Sequence, residues 1–240
     1  MLDEVKITKA IVETYTKEFI DNLDIDVAIA GAGPAGLISA YYLARQGMKV
    51  AVFERCLRVG GGMSGGGMML NRIALQKGGK DILDEFDVTT KHYKEDLYTA
   101  DALEAISSIC AKTIKSGAKV FNLMTVEDVM IREKRITGVV INRSPVSMAK
   151  LHVDPLTVRS KVVVDATGHD TEVCKVVERK MGPILNTENG RVQGEKSMWA
   201  DAGESAITAN TKEVCPGLYV CGMAANGVYG SPRMGAIFGG

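Results

Sequence analysis

The stretch from Ile25 to Gly36, IDVAIAGAGPAG, constrains this chain more than any other. An apolar run that ends in G-x-G-x-x-G reads as a buried β-strand passing through a glycine turn into a helix. Gly31 permits the tight turn, Gly33 lets backbone amides approach a pyrophosphate, and Gly36 lets the helix pack close to the strand. Pro34 suits a first helical turn, where its missing N–H costs nothing. The helix, expected from about Ala35 to Arg45, points its positive end and unpaired amides at an anion. That end is expected to hold the phosphates of a dinucleotide.

The glycine pattern alone is weak, but its surroundings match a mononucleotide-binding unit. A second strand, Lys49 to Phe53, follows the helix-ending Gly47 and leads into Glu54, which lies 23 residues after Gly31. An acid there hydrogen-bonds ribose hydroxyls and disfavours a 2′-phosphate, so NAD or an ADP moiety is expected and NADP is not. Residues 55–67 hold too much glycine for a regular element. They are read as a loop passing close to the cofactor, with a flexible surface loop as the alternative.

The rest of the chain reads as an α/β fold: a Rossmann-like, three-layer arrangement with a central parallel sheet and an antiparallel β-meander. It is expected to form one dinucleotide-binding domain over 1–240, with the meander as an excursion at about 124–160. Ile7, Ile11, Tyr15 and Ile20 predict an amphipathic leading helix that packs ahead of the first strand or covers a subunit interface. A helix is predicted over 98–116, with Ala100, Leu103, Ile106, Ile109, Ala111 and Ile114 at helical spacing, ending at Gly117 before a strand from Lys119 to Leu123. Val126 to Arg132, Ile136 to Asn142 and Leu156 to Asp165 read as strands of the meander, the last returning to the main sheet. Residues 182–215 carry no clear periodicity. Leu218 to Gly222 reads as a short strand, and Met223 to Gly240 as a glycine-rich run. A helix packing back on the first glycine turn is expected to be missing from this sequence or disordered.

Charge and cysteine usage narrow the partners. With 29 basic and 29 acidic residues and no long basic run, the chain lacks the electrostatic footprint of a nucleic-acid binder. No apolar run reaches the roughly 18 residues that span a bilayer, and residues 1–24 lack the apolar core of a signal peptide, so a cytoplasmic protein with no membrane partner is expected. Cys56, Cys110, Cys174, Cys215 and Cys221 form no C-x-x-C pair, which argues against disulfides and zinc.

Few side chains are placed for chemistry. His169 follows the strand end Ala166-Thr167-Gly168, at the edge where open α/β sheets bind ligands. His152 and Asp154 lie two apart in the meander loop. Asp154 and His169 have the chemistry of a divalent-metal pair, with hydrogen-bonded structural roles as the alternative. His92 is read as exposed. Arg233, a lone cation in a glycine-rich segment, suits a small carboxylate held by two parallel hydrogen bonds, or is a surface arginine. Trp199 is either a half-buried packing anchor or a substrate-facing side chain.

Together the strand-turn-helix, Glu54 with Gly60-Gly61, Ala166-Thr167-Gly168 and Gly217 to Gly222 resemble the glutathione-reductase-like dinucleotide proteins. Flavin enzymes of that class usually carry an aspartate where this chain has Met223, which argues against bound FAD. Within the class, Leu151-His152-Val153-Asp154-Pro155, Asp165 to Asp170 and Gly222 to Gly227 are similar to the thiazole synthase family of thiamine biosynthesis, especially its archaeal branch. The resemblance implies NAD contacts at Ala35, Glu54, Arg55, Gly62, Val126, His152, Val153, Asp154 and Met223, beside the turn glycines Gly31, Gly33 and Gly36. It implies an iron(II) site from Asp154 and His169, completed across a subunit boundary or within one chain, a glycine clamp at Arg233, and a ring-like homo-oligomer, an octamer. In fungal and plant relatives a sacrificial cysteine stands where this chain has His152. An imidazole cannot donate sulfur, so the chain resembles the branch that uses free sulfide and turns over repeatedly.

The implied reaction consumes NAD as a substrate. Nicotinamide leaves, the ADP-ribose condenses with glycine, and sulfide addition, cyclisation and dehydration give an adenylated thiazole carboxylate. His152, Asp154 and His169 are the catalytic candidates. The competing readings are an FAD- or NAD-dependent oxidoreductase, a sugar-bisphosphate isomerase and a non-catalytic nucleotide sensor.

Overall fold

The computed structural model describes residues 2–238. Helix α1 (Glu4–Asp21) leads into β1 (Asp24–Ala30), α2 (Pro34–Arg45) and β2 (Val50–Glu54). Next come β3 (Arg72–Leu75), α3 (Lys77–Glu85), β4 (Thr90–Lys94), β5 (Leu97–Asp101), α4 (Ala102–Lys115) and β6 (Lys119–Asn122). The antiparallel run β7 (Met124–Arg132), β8 (Arg135–Arg143) and, after α5 (Ser144–Met148), β9 (Leu156–Asp165) follows. The chain closes with α6 (Glu172–Met181), α7 (Ala200–Asn210), β10 (Glu213–Cys215), β11 (Leu218–Val220) and α8 (Met223–Tyr229).

The main sheet runs β10-β11-β9-β1-β2-β6, and every neighbouring pair from β11 to β6 is parallel. The α/β class read from the pattern is therefore correct. Strand β9 belongs to two ladders at once: Leu156 to Arg159 pair antiparallel with β8, while Arg159 to Asp165 pair parallel with β1. The meander and the parallel sheet share this strand. Alternation along β1 sends Val27 and Ile29 into a core with Leu37 and Ile109. Ala28 and Ala30 face a second core with Val173, Val177 and Val228, so β1 is covered on both faces, as a parallel strand requires.

Several elements depart from expectation. The predicted 98–116 helix begins four residues later, because Leu97–Asp101 completes a three-stranded antiparallel sheet, β3-β5-β4, that periodicity did not reveal. The Asp101 side chain then accepts from the Leu103 and Glu104 amides and caps α4. Residues 182–215, unreadable in sequence, contain α7 and β10. The glycine-rich tail contains α8, contrary to expectation; Gly239 and Gly240 lie outside the described residues. Leading helix α1 buries no residue, and Ile7, Ile11 and Ile20 are exposed. It touches the body through Tyr15 and Phe19, whose rings lie 6.1 and 5.5 Å from that of Phe121.

Two glycines of the first turn differ in what they demand. A Cβ on Gly31, at φ +102°, would sit 2.5 Å from the Ala166 carbonyl oxygen, whereas one on Gly33 would meet nothing within 4 Å. Gly31→Ala is expected to cost about 2–4 kcal/mol, combining left-handed strain with a backbone clash. Gly33→Ala should move stability by less than about 1 kcal/mol. Denaturant midpoints for the two variants provide the check.

Candidate functional site

Because β1, β2, β6, β9 and β11 are parallel, their carboxyl ends lie along one edge, where open α/β sheets bind ligands. The loops leaving that edge pack backbone on backbone. A Cβ on Gly36 would lie 2.1 Å from the Gly31 carbonyl oxygen, one on Gly222 2.7 Å from the Ala35 Cβ, and one on Gly61 3.2 Å from the Gly33 Cα. The 55–67 loop, which contains one short 3₁₀ turn, is thus folded against the first turn and is not a free surface loop. Amid this close packing the face of Gly33 stays open at the N-terminus of α2, where Pro34 begins the helix. Met223 starts α8 beside Gly222 at the same edge.

Glu54 is 7% exposed, and one carboxylate oxygen accepts the Ala32 N–H at 2.8 Å while the other accepts the Cys56 N–H at 2.7 Å. It clamps the glycine turn to the following loop, a role that spacing alone did not reveal. A carboxylate offers about four lone-pair sites, so acceptor capacity remains beyond these two amides.

Asp165, absent from the sequence-derived candidates, is fully buried at the end of β9. It accepts from the Thr167 amide at 3.0 Å, the Thr167 hydroxyl at 2.6 Å and the Cys174 amide at 2.9 Å. These bonds fix the turn that carries His169 and Asp170. A strand-end aspartate before Ala-Thr-Gly was the available signal. Arg55 reaches across to this turn, donating to Asp170 at 2.8 Å and Glu172 at 2.7 Å. The bond to Asp170 raises the Arg55 pKa, whereas burial pushes the Glu172 carboxyl up against the opposing pull of Arg55.

His169 is partnered by Glu195, not Asp154: its Nδ1 lies 2.9 and 3.1 Å from the two carboxylate oxygens. Asp154 and His152 are exposed in the loop before β9. The ten residues of β9 separate that loop from the His169 turn by about 30 Å of extended chain. His152 and Val153 instead line an open depression of about 500 Å³ with Glu127, Asn142 and Lys150. Val126, half-buried in β7, is on the meander, and Gly62 opens the first 3₁₀ turn. Among the described residues, no three carboxylate, imidazole or thiol groups converge as a metal cage.

Arg233 is exposed and its guanidinium has no protein partner among the described residues. Its backbone is held on both sides: the Arg233 amide donates to the Lys196 carbonyl at 3.2 Å, and the Arg233 carbonyl accepts from Trp199 at 3.0 Å. Trp199 is 65% exposed, so it is no packing anchor.

The model of the Thi4 family matches residues 8–238. The chain belongs to the Thi4 family. It is 60% identical to the thiamine thiazole synthase of Methanothermobacter thermautotrophicus over 239 residues, covering 100% of this chain and 93% of the relative. The thiamine thiazole synthase of Pyrococcus furiosus is 51% identical over 240 residues, again 100% and 93% of the two chains. The crystal structure of Thermovibrio ammonificans THI4 superposes with a TM-score of 0.95 at 48% identity, covering 99% of this chain and 92% of that one. The resemblance read from the motifs is thereby shown, and the chain is an enzyme of the thiamine thiazole synthase type. No helix among the described residues is long and apolar enough to cross a membrane.

Within this Thi4-family chain all five thiols are free, and three are buried. Burial holds the Cys174 thiol well above its ordinary value and pushes Cys215 and Cys221 up to about 11. At about pH 8 a thiol shifted that far is about 0.1% thiolate, the nucleophilic form. Iodoacetamide should leave Cys174, Cys215 and Cys221 unmodified in the native protein and label all three after denaturation, as read by peptide mass spectrometry.

Proposed function

We propose that this enzyme makes an adenylated thiazole carboxylate from NAD, glycine and free sulfide, releasing nicotinamide and water. The observation that carries the reading is the open face of Gly33 in an otherwise close-packed turn at a helix N-terminus, in a chain of the Thi4 family. Amides of the turn bind the pyrophosphate, and Glu54 takes the adenosine ribose. Binding energy from this ADP half, remote from the reacting carbons, holds them in place. Arg233, with no protein partner, orients the carboxylate of glycine.

The donors available suit iron(II), which supplies Lewis acidity and affinity for sulfur when bound. Glu195 occupies His169 Nδ1 and leaves Nε2 for a metal, while Asp154 offers an exposed carboxylate. One ion cannot span the two ends of β9, so we assign Asp154 of one copy and His169 of another to a shared site. That assignment requires a homo-oligomer, and we propose a ring-like octamer in the cytoplasm. His152 stands where a sulfur-donating cysteine would be, and we assign it proton movement in a turnover that leaves the protein intact.

Anaerobic incubation with NAD, glycine, sulfide and iron(II), followed by mass spectrometry, tests the reading. Nicotinamide and the adenylated thiazole should accumulate in molar excess over enzyme whose own mass is unchanged. NADH without nicotinamide would favour an oxidoreductase, and untouched NAD a nucleotide sensor. Arg233→Ala should raise the half-saturating glycine concentration at least about tenfold, the loss of one charge-assisted carboxylate contact, without changing NAD binding.

A further inference from the structure

We infer that Glu195 is the positioning residue for His169, fixing its ring so that Nε2 faces outward as the ligand atom. The inference rests on the reading of His169 as a metal ligand and adds the group that orients it. A carboxylate can only accept, so contacts of 2.9 and 3.1 Å favour the neutral tautomer that carries its proton on Nδ1 and its lone pair on Nε2. These are the only hydrogen bonds of the Glu195 carboxylate among the described residues. Its side chain is 20% exposed against 48% for His169, so the acceptor is the shielded partner and the imidazole the accessible one.

Both partners are braced against α8 and the residues that follow it. On the Glu195 side, the Gly194 amide donates to the Gly227 carbonyl at 3.0 Å, and the Lys196 amide donates to the Ser231 carbonyl at 3.1 Å. On the His169 side, a Cβ on Gly227 would sit 2.7 Å from Thr171 Cγ2, so α8 packs tightly on the residue that ends the His169 turn. The Arg233 backbone joins this strip through the Lys196 carbonyl. A pair this exposed contributes little to stability. Its specific consequence is the tautomer and direction of the ring, the task that outer carboxylates perform for metal-bound histidines.

The test is an anaerobic titration of the intact oligomer with cobalt(II) alone, followed by visible absorption, on the unsubstituted protein and the Glu195→Ala, Glu195→Gln and His169→Ala variants. Glu195→Ala should weaken cobalt binding about 10- to 100-fold, and Glu195→Gln, which keeps an acceptor, should stay near the unsubstituted protein. Nitrogen-15 spectra of labelled histidine in metal-free protein should show His169 protonated at Nδ1, with the Nε2–H form appearing in Glu195→Ala. Unchanged cobalt affinity and tautomer in Glu195→Ala would overturn the inference. So would an equal loss in Glu195→Gln, which would make the carboxylate a ligand itself. Unchanged binding in His169→Ala would remove the underlying metal-site reading, and the inference with it.

Discussion

Backbone lies directly on backbone where β1 ends, and the rest of the molecule is arranged around that contact. Gly31 faces the Ala166 carbonyl and Gly36 faces the Gly31 carbonyl, each at a separation that leaves no room for a methyl group. This draws together the ends of β1 and β9, the strands that lead into the glycine turn and the His169 turn. Two buried carboxylates then lock the arrangement through main-chain donors. Glu54 ties the first turn to the 55–67 loop, and Asp165 ties the end of β9 to the start of α6. Charge-assisted bonds of this kind are among the stronger ones available to a small assembly of loops.

Strand β9 is both a connection and a spacer. Its last residues sit at the centre of the parallel sheet, while its first residues extend beyond it to pair with β8. One strand thereby delivers His169 to the carboxyl edge of the sheet and leaves His152 and Asp154 at its own opposite end. The proposed function, which uses both sets, draws on two copies of the chain for this reason. The unburied helix α1, with Ile7, Ile11 and Ile20 exposed, leaves apolar surface of the sort such assemblies cover.

The elements legible in the sequence were those with strong period or punctuation. The glycine turn, α2, β2 and the three strands of the meander all combine apolar runs with turn residues, and all formed close to their expected bounds. Elements of mixed or small residues were not legible. Helix α7 has the sequence ADAGESAITAN, with Gly203 and Ile207 its buried positions, too sparse a stripe to read as a face. In α8, Gly227 fits because Thr171 fills the space its side chain would need, a packing reason invisible in a linear string.

The sequence by itself determined the glycine turn, the acid at Glu54, the histidine at 152 and the kinship these motifs imply, since each depends on residue type at short, fixed spacing. The tertiary structure alone decided which side chains meet. Glu195 and His169 are joined over 26 residues, and Arg55 and Glu172 over 117, because strand order and loop packing set those approaches. It also decided that Asp154 and His169, 15 residues apart in the chain, stand at opposite ends of one extended strand, since a β-strand advances about 3.3 Å with every residue.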